Sequence, residues 1–176
     1  MKKITITIAM MMLTVLAAVT VSFADNRPKI IVQVTAGNSE KEDQFLSNRM
    51  GSVITQQGLF RLVVVNEATQ NLIAKELKRQ HSGPVDRNQK LAQIAKQFGA
   101  EFMCIADITS AFGMTQMTSS IVNVETAEGI AMNDSVLEVE SIKDVKPAEL
   151  MAMLKGALDG MTPSILRELE RRDGRR

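Results

Sequence analysis

The chain has no tryptophan and no tyrosine, and only one histidine and one cysteine among 176 residues. Its aromatic content is 3%, all of it phenylalanine. Stacking on nucleic-acid bases or sugar rings therefore has almost nothing to work with. One cysteine forms no internal disulfide. His81, in a Ser-Gly-Pro loop, brings no metal-type partners with it. A dominant charge is also lacking: 21 basic residues face 20 acidic ones. That balance gives no long-range pull toward nucleic acid or an acidic membrane surface. There is no Gly-Lys-Ser/Thr phosphate loop. The nearest approach is "TAGNSE" (35–40), one glycine without a lysine, which reads as a tight turn before a helix. No acid pair, metal cluster or nucleophile–base set is legible. The expectation is a protein that is not an enzyme and holds no cofactor.

What is present begins with the N-terminus. Lys2 and Lys3 precede an apolar run from Ile4 to Val21, and Ser22-Phe23-Ala24 sets small residues three and one before Asp25. That is the layout of a secretory signal peptide over 1–24. An uncleaved anchor is the rival, because about 20 apolar residues span a bilayer. No cysteine lies near the cut, so a lipid anchor there is not available. Removing 24 of 176 residues leaves 152, a length that suits one domain. No other run is long enough to cross a membrane as a helix. The expected location is the periplasm, with secretion or signal anchoring as alternatives.

Hydrophobic periodicity then lays out the domain over 25–166. "KIIVQV" (29–34) reads as a buried strand. Ser39 with Glu42 forms a capping box. Leu46, Met50, Val53, Ile54 and Gln57 share one helical face, which Gly58 ends. "FRLVVV" (60–65) is a second strand. Asn66 caps a helix to about Gln80, with Leu72, Ile73 and Leu77 inward. After the Gly83-Pro84 turn, Asp86 with Gln89 repeats the capping box. Leu91, Ile94, Ala95 and Phe98 recur at helical spacing, and Gly99 ends that helix.

"FGAEFMCIADIT" (98–109) delivers the next strand, about Glu101 to Thr109, apolar on both faces as a central strand is. Cys104 is expected buried and inert, since free cysteine packs as a small hydrophobe. Asp107 is the one acid in that strand. It is expected exposed near the strand's end, and would need a partner if it faced inward. "MTQMTSSIVNVETAEGIAMNDSVLEVES" reads as a hairpin, 115–124 and 130–140, with Gly129 at the positive-φ turn position. Pro147 opens a last helix with Leu150, Met151, Leu154, Ala157, Leu158 and Met161 inward. Thr162-Pro163 is expected to kink or restart it. The charged segment 167–176 is expected to fray. The methionines beyond the leader read mainly as core packing. The order is β-α-β-α-α-β-β-β-α, a mixed α/β sheet with helices packed on it.

Four phrases in that order resemble a known family. They are "IIVQV", "GLFRLVVVNEATQNLI", "LAQIAKQFGAEFMCIADIT" and "SSIVNVETAEGIAMND". Together they look like the periplasmic core shared by curli-secretion-channel proteins of the CsgG type and the LpoB-type activators of penicillin-binding proteins. The resemblance covers about residues 29 to 160. It implies a non-enzymatic cell-envelope role in a Gram-negative bacterium. The activator type implies a regulator or adaptor docked on a peptidoglycan synthase. The channel type implies an assembly component of an envelope secretion complex, with homo-oligomers. This chain departs from both, because it lacks their lipidated cysteine and any room for membrane-spanning hairpins.

Two surfaces are candidates for partner binding on physical grounds. One is a hairpin edge over Met117, Ser119, Ile121 and Asn123, open to an added strand. The other is the loop set at the C-terminal ends of the parallel strands, at Gly37, Asn38 and Asn66.

Overall fold

The computed structural model describes residues 26–36, 39–79 and 84–174. The leader, Gly37, Asn38 and His81 lie outside the described residues. The elements are β1 (Lys29–Thr35), α1 (Glu40–Gln57), β2 (Arg61–Leu62), α2 (Glu67–Arg79) and α3 (Pro84–Gln97), followed by β3 (Phe102–Ala111), β4 (Met114–Asn123) and β5 (Gly129–Leu137). A 3-10 turn at Ile142–Asp144 leads into α4 (Pro147–Asp173). The order is the one the periodicity predicts. The local signals explain the helix ends. Ser39 Oγ accepts the Glu42 N–H at 3.2 Å, and Asn66 Oδ1 accepts that of Thr69 at 2.9 Å. Gly58 and Gly99 end α1 and α3 at φ 73° and 66°, conformations that side chains resist.

One five-stranded sheet runs β2-β1-β3-β4-β5. β2, β1 and β3 are parallel, and β3, β4 and β5 antiparallel. β3 is thus the central strand. One face carries Ile30, Val32, Phe102, Cys104, Met117 and Ile121 against α1 and α4. The other carries Ile31, Met103, Ile105 and Val122 against Ile73 of α2 and Leu91 and Ala95 of α3. Alternation along β3 therefore feeds two cores, which is why its sequence is apolar without a break. Phe60 meets the Phe102 ring edge-on at 5.3 Å between centroids. Gly160 lets α4 lie close on β5, since a Cβ there would sit 2.7 Å from Asn133 Oδ1.

Several expectations are corrected. The second strand is two residues, not six: the Val63 N–H still bonds to Ile30 O at 2.8 Å, but beyond it the chain leaves its one neighbour, β1, and Val64 is 87% exposed. Leu72 and Phe98 point outward, because α2 turns Thr69, Gln70 and Ile73 to the core instead, and α3 turns Leu91, Ala92 and Ala95. Helix α3 begins at Pro84, so Asp86 lies within its first turn and is not its cap. Strand β5 starts at Gly129 and ends at Leu137; the positive φ in its turn, 59°, belongs to Ala127, while Gly129 is ordinary strand. Helix α4 runs through Pro163 to Asp173, so the charged end does not fray at Arg167. Tertiary contacts hold it. Glu168 is buried, Arg172 lies 4.9 Å over the Phe102 ring, and its guanidinium pairs with Glu101 at 3.0 Å.

Candidate functional site

The C-terminal ends of β1 and β3 lie in register, with Thr35 opposite Asp107. Thr35 Oγ1 donates to Asp107 Oδ1. Arg87, from the first turn of α3, donates to Asp107 Oδ2 at 2.5 Å. Asp107 is therefore half-buried and partnered rather than simply exposed, the one acid that the central strand carries among apolar neighbours. Beside it, Asn88, Thr118 and Ser120 help line a cavity of about 360 Å³ between α3 and the strands. Asp43, from α1, closes the same end of β1 by accepting the Ala36 N–H at 2.7 Å.

The turn between β3 and β4 opens on this end of the sheet. It is a two-residue connection, Phe112-Gly113, with φ 53° and 76°. Positive φ at both central residues marks the turn type that matches strand twist and favours Asn-Gly or Gly-Gly. A bulky phenylalanine there is strained. Its side chain is 99% exposed, so no packing offsets that strain. Composition around it gave a usable signal: Phe-Gly between two alternating segments is a tight hairpin turn, yet the sequence reading passed over its aromatic.

The predicted site residues have different fates. Gly37 and Asn38 lie outside the described residues. Asn66 is exposed, but its Oδ1 is engaged by both the Thr69 N–H and the Thr69 hydroxyl, so it works as a cap. The hairpin-edge reading of Met117, Ser119, Ile121 and Asn123 is corrected. β4 lies between β3 and β5, and all four side chains are buried toward α4. The edge strands are β2 and β5. On β5 the alternation leaves Met132 and Val136 exposed, 70% and 56%, on the face that bears α2 and α3, at an edge those helices leave uncovered. Met50, Met103, Met117, Met153 and Met161 are core, as expected, while Met114 and Met132 are not.

Asn123 has a structural job. Its Oδ1 accepts the Glu125 N–H at 2.9 Å and its Nδ2 donates to Glu168 Oε1 at 3.0 Å. Arg171 adds two bonds to Glu168, both 2.8 Å. These Arg171 hydrogen bonds hold the Glu168 carboxyl below its ordinary range, against burial, which pushes it up. A depressed folded value means that the stabilisation is complete above the unfolded carboxyl value of about 4.3 and fades as pH falls through and below it. Glu168→Gln is expected to cost about 1 kcal/mol at neutral pH, discounted because Arg171 is half exposed. It is also expected to flatten the acid limb of the stability curve. Urea unfolding midpoints of both proteins between neutral pH and the acid limit would show it.

Among the described residues no three His, Cys, Asp or Glu side chains gather as a metal site. No helix there is long and apolar enough to cross a membrane.

This arrangement defines a class: a single mixed sheet with two helices on each face. No family model matches the chain, and no curated protein matches its sequence. Solved structures do share the shape. The PelC dodecamer from Paraburkholderia phytofirmans superposes with a TM-score of 0.50 at 7% identity, over 79% of this chain and 90% of that one. The LpoB C-terminal domain from Salmonella enterica superposes at 0.41 with 16% identity, over 71% and 91%. That from Escherichia coli does so at 0.41 with 15%, over 68% and 88%. At 7% identity the PelC likeness is one of fold alone.

Proposed function

We propose that the chain is an exported, non-enzymatic module of the cell envelope that acts by binding another envelope protein. Its finer form is a regulator or adaptor of peptidoglycan synthesis, docked on a synthase. The observation that carries it is Phe112. A side chain strained in its turn and 99% exposed does nothing for stability, and it stands at the strand ends where α/β sheets bind. A large rigid aromatic is also the kind of residue that anchors an interface. The leader-like N-terminus and the family resemblance of the four phrases supply the envelope setting.

The test is a photo-crosslinking amino acid placed at Phe112 in the full chain in living cells. A covalent adduct with a peptidoglycan synthase is expected. Adducts with export-channel components alone would remove the regulator reading. They would leave the second one, an assembly part of an envelope secretion complex. That second reading is favoured by the two open flanks of the sheet.

A further inference from the structure

Helices α2 and α3 pack over β1 and β3 and leave β5 uncovered on that face. Two cavities lie there, of about 360 and 630 Å³. Both are lined by Asn88, Gly129 and Ile130, so they form one trough between the N-terminal part of α3 and the start of β5. A bulge shapes the β5 wall. Val122 faces Gly129 and Ile121 faces Ala131, which leaves Ile130 as an extra residue with no partner in the ladder. The polar groups of the trough are unspent. Arg87 Nε is buried without a hydrogen-bond partner, although Nη2 of the same guanidinium reaches Asp107. Among the described residues no hydrogen bond engages the Asn88 amide or the Thr118 and Ser120 hydroxyls. On the opposite face of β4, by contrast, Thr115 and Ser119 donate theirs to Val139 O and Asn133 O. A buried donor left unsatisfied is costly, and this one calls for an acceptor from outside the chain.

We propose that the trough binds an extended peptide segment of a partner protein, with a peptide carbonyl on Arg87 Nε and one basic side chain beside Glu128. The chemistry selects that occupant. An anion on Arg87 would stand next to the Asp107 carboxylate already held by the same guanidinium, whereas a neutral carbonyl oxygen carries no such repulsion. The Asn88 amide and the two hydroxyls both donate and accept, which suits the N–H and C=O groups of peptide units. A helix spends those groups internally, so the segment is extended. Ile130 and Met132, the latter 70% exposed, supply apolar contacts for its side chains. The charged residues of the trough are three acids, Asp107, Glu128 and Glu168, and two cations, Arg87 and Arg171. One positive charge on the occupant balances them. No aromatic lines either cavity, so a sugar ring finds no platform there. The inference rests on the reading of the chain as a protein-binding module. It goes beyond that reading by naming a second surface, since Phe112 lines neither cavity.

Random octapeptides displayed on phage, selected against the protein purified from cells expressing the full sequence, supply the probe. Enrichment of peptides with one lysine or arginine is expected. A synthetic, fluorescein-labelled copy of the most enriched peptide is expected to bind one to one in anisotropy titrations. Arg87→Lys keeps a cation for Asp107 but deletes the Nε donor, and is expected to weaken binding about tenfold. Asn88→Trp fills the junction of the two cavities and is expected to leave no measurable binding. Phe112→Ala is expected to bind the peptide as the wild type does. Circular dichroism checks that each variant folds. Where one does not, amide shifts in the labelled wild type decide, and they are expected at Gly129, Ile130, Ala131 and Met132. No enrichment, enriched peptides without a basic residue, binding that survives both trough variants, or shifts confined to other surfaces would each overturn the proposal. So would an N-acetylglucosamine tetramer that occupies the trough in the peptide's place. A synthase adduct at Phe112 is unaffected by any of these results, and peptide binding in the trough stands without that adduct. The two readings therefore fail separately.

Discussion

Met117→Asp is expected to yield no cooperatively folded protein, whereas Met132→Asp is expected to fold almost as the wild type does. The two methionines lie on adjacent strands of one hairpin, and in the sequence both sit in alternating apolar–polar runs. Met117 is 0% exposed between the sheet and α4, and Met132 is 70% exposed on the other face. Removing a buried methionine side chain alone costs about 2–5 kcal/mol. A carboxylate left without a partner in that apolar core adds several more. A domain of this kind has only about 5–15 kcal/mol in total. The surface change, by contrast, falls within about 0.5 kcal/mol. Far-UV circular dichroism with urea titration separates the two. If Met117→Asp unfolded at the wild-type midpoint, β4 would be paired one residue out of register, since a one-residue slip turns every side chain to the opposite face.

The second large effect concerns Cys104. Its thiol is expected to be silent toward a soluble disulfide reagent until the protein unfolds. It is fully buried in the central strand, and burial alone pushes its pKa up from 9.0 to about 12. Only the thiolate attacks. A three-unit rise lowers the reactive fraction roughly a thousandfold, before any obstruction by the packing is counted. The native protein should therefore react at least that much more slowly than its urea-unfolded form at the same pH. The rate should also follow the unfolding transition. The sign follows from the same shift: with the folded value above the unfolded one, stability is complete below the unfolded thiol value of 9.0 and falls progressively as pH rises from there toward about 12. Reaction of the native protein at the unfolded rate would mean that Cys104 does not lie in a covered central strand.

These two tests bracket what was legible. Cys104 could be placed from its neighbours, because a strand apolar on both faces has only one stable location, the middle of a covered sheet. Met117 could not. The run from 114 to 123 alternates as an exposed hairpin strand does, and nothing within it says that a further strand lies outside it. Its small polar residues, Thr115 and Ser119, are buried because their hydroxyls reach carbonyls of β5 and the segment after it, Val139 O at 3.0 Å and Asn133 O at 3.0 Å. Local polarity thus misread burial. The end of α4 was missed for a similar reason. "RELERRD" is charged enough to be a tail, but Glu168 finds Asn123, 45 residues earlier, and Arg172 finds Glu101. The candidate site suffered most. Thr35, Arg87 and Asp107 come from three elements, and only their assembly brings them together.

The sequence by itself determined the type and order of the five strands and four helices, and the caps at Ser39, Gly58, Asn66 and Gly99. Each rests on neighbours within a few residues, where spacing of 2.0 or 3.6 and the special backbone needs of glycine, proline and asparagine act directly. Only the tertiary structure decided which strands became edges, which methionines stayed in water, and that Phe112 stands alone in solvent. Those outcomes depend on the order in which strands lie side by side. That order is set by free energies summed over residues far apart in the chain, which no local pattern records.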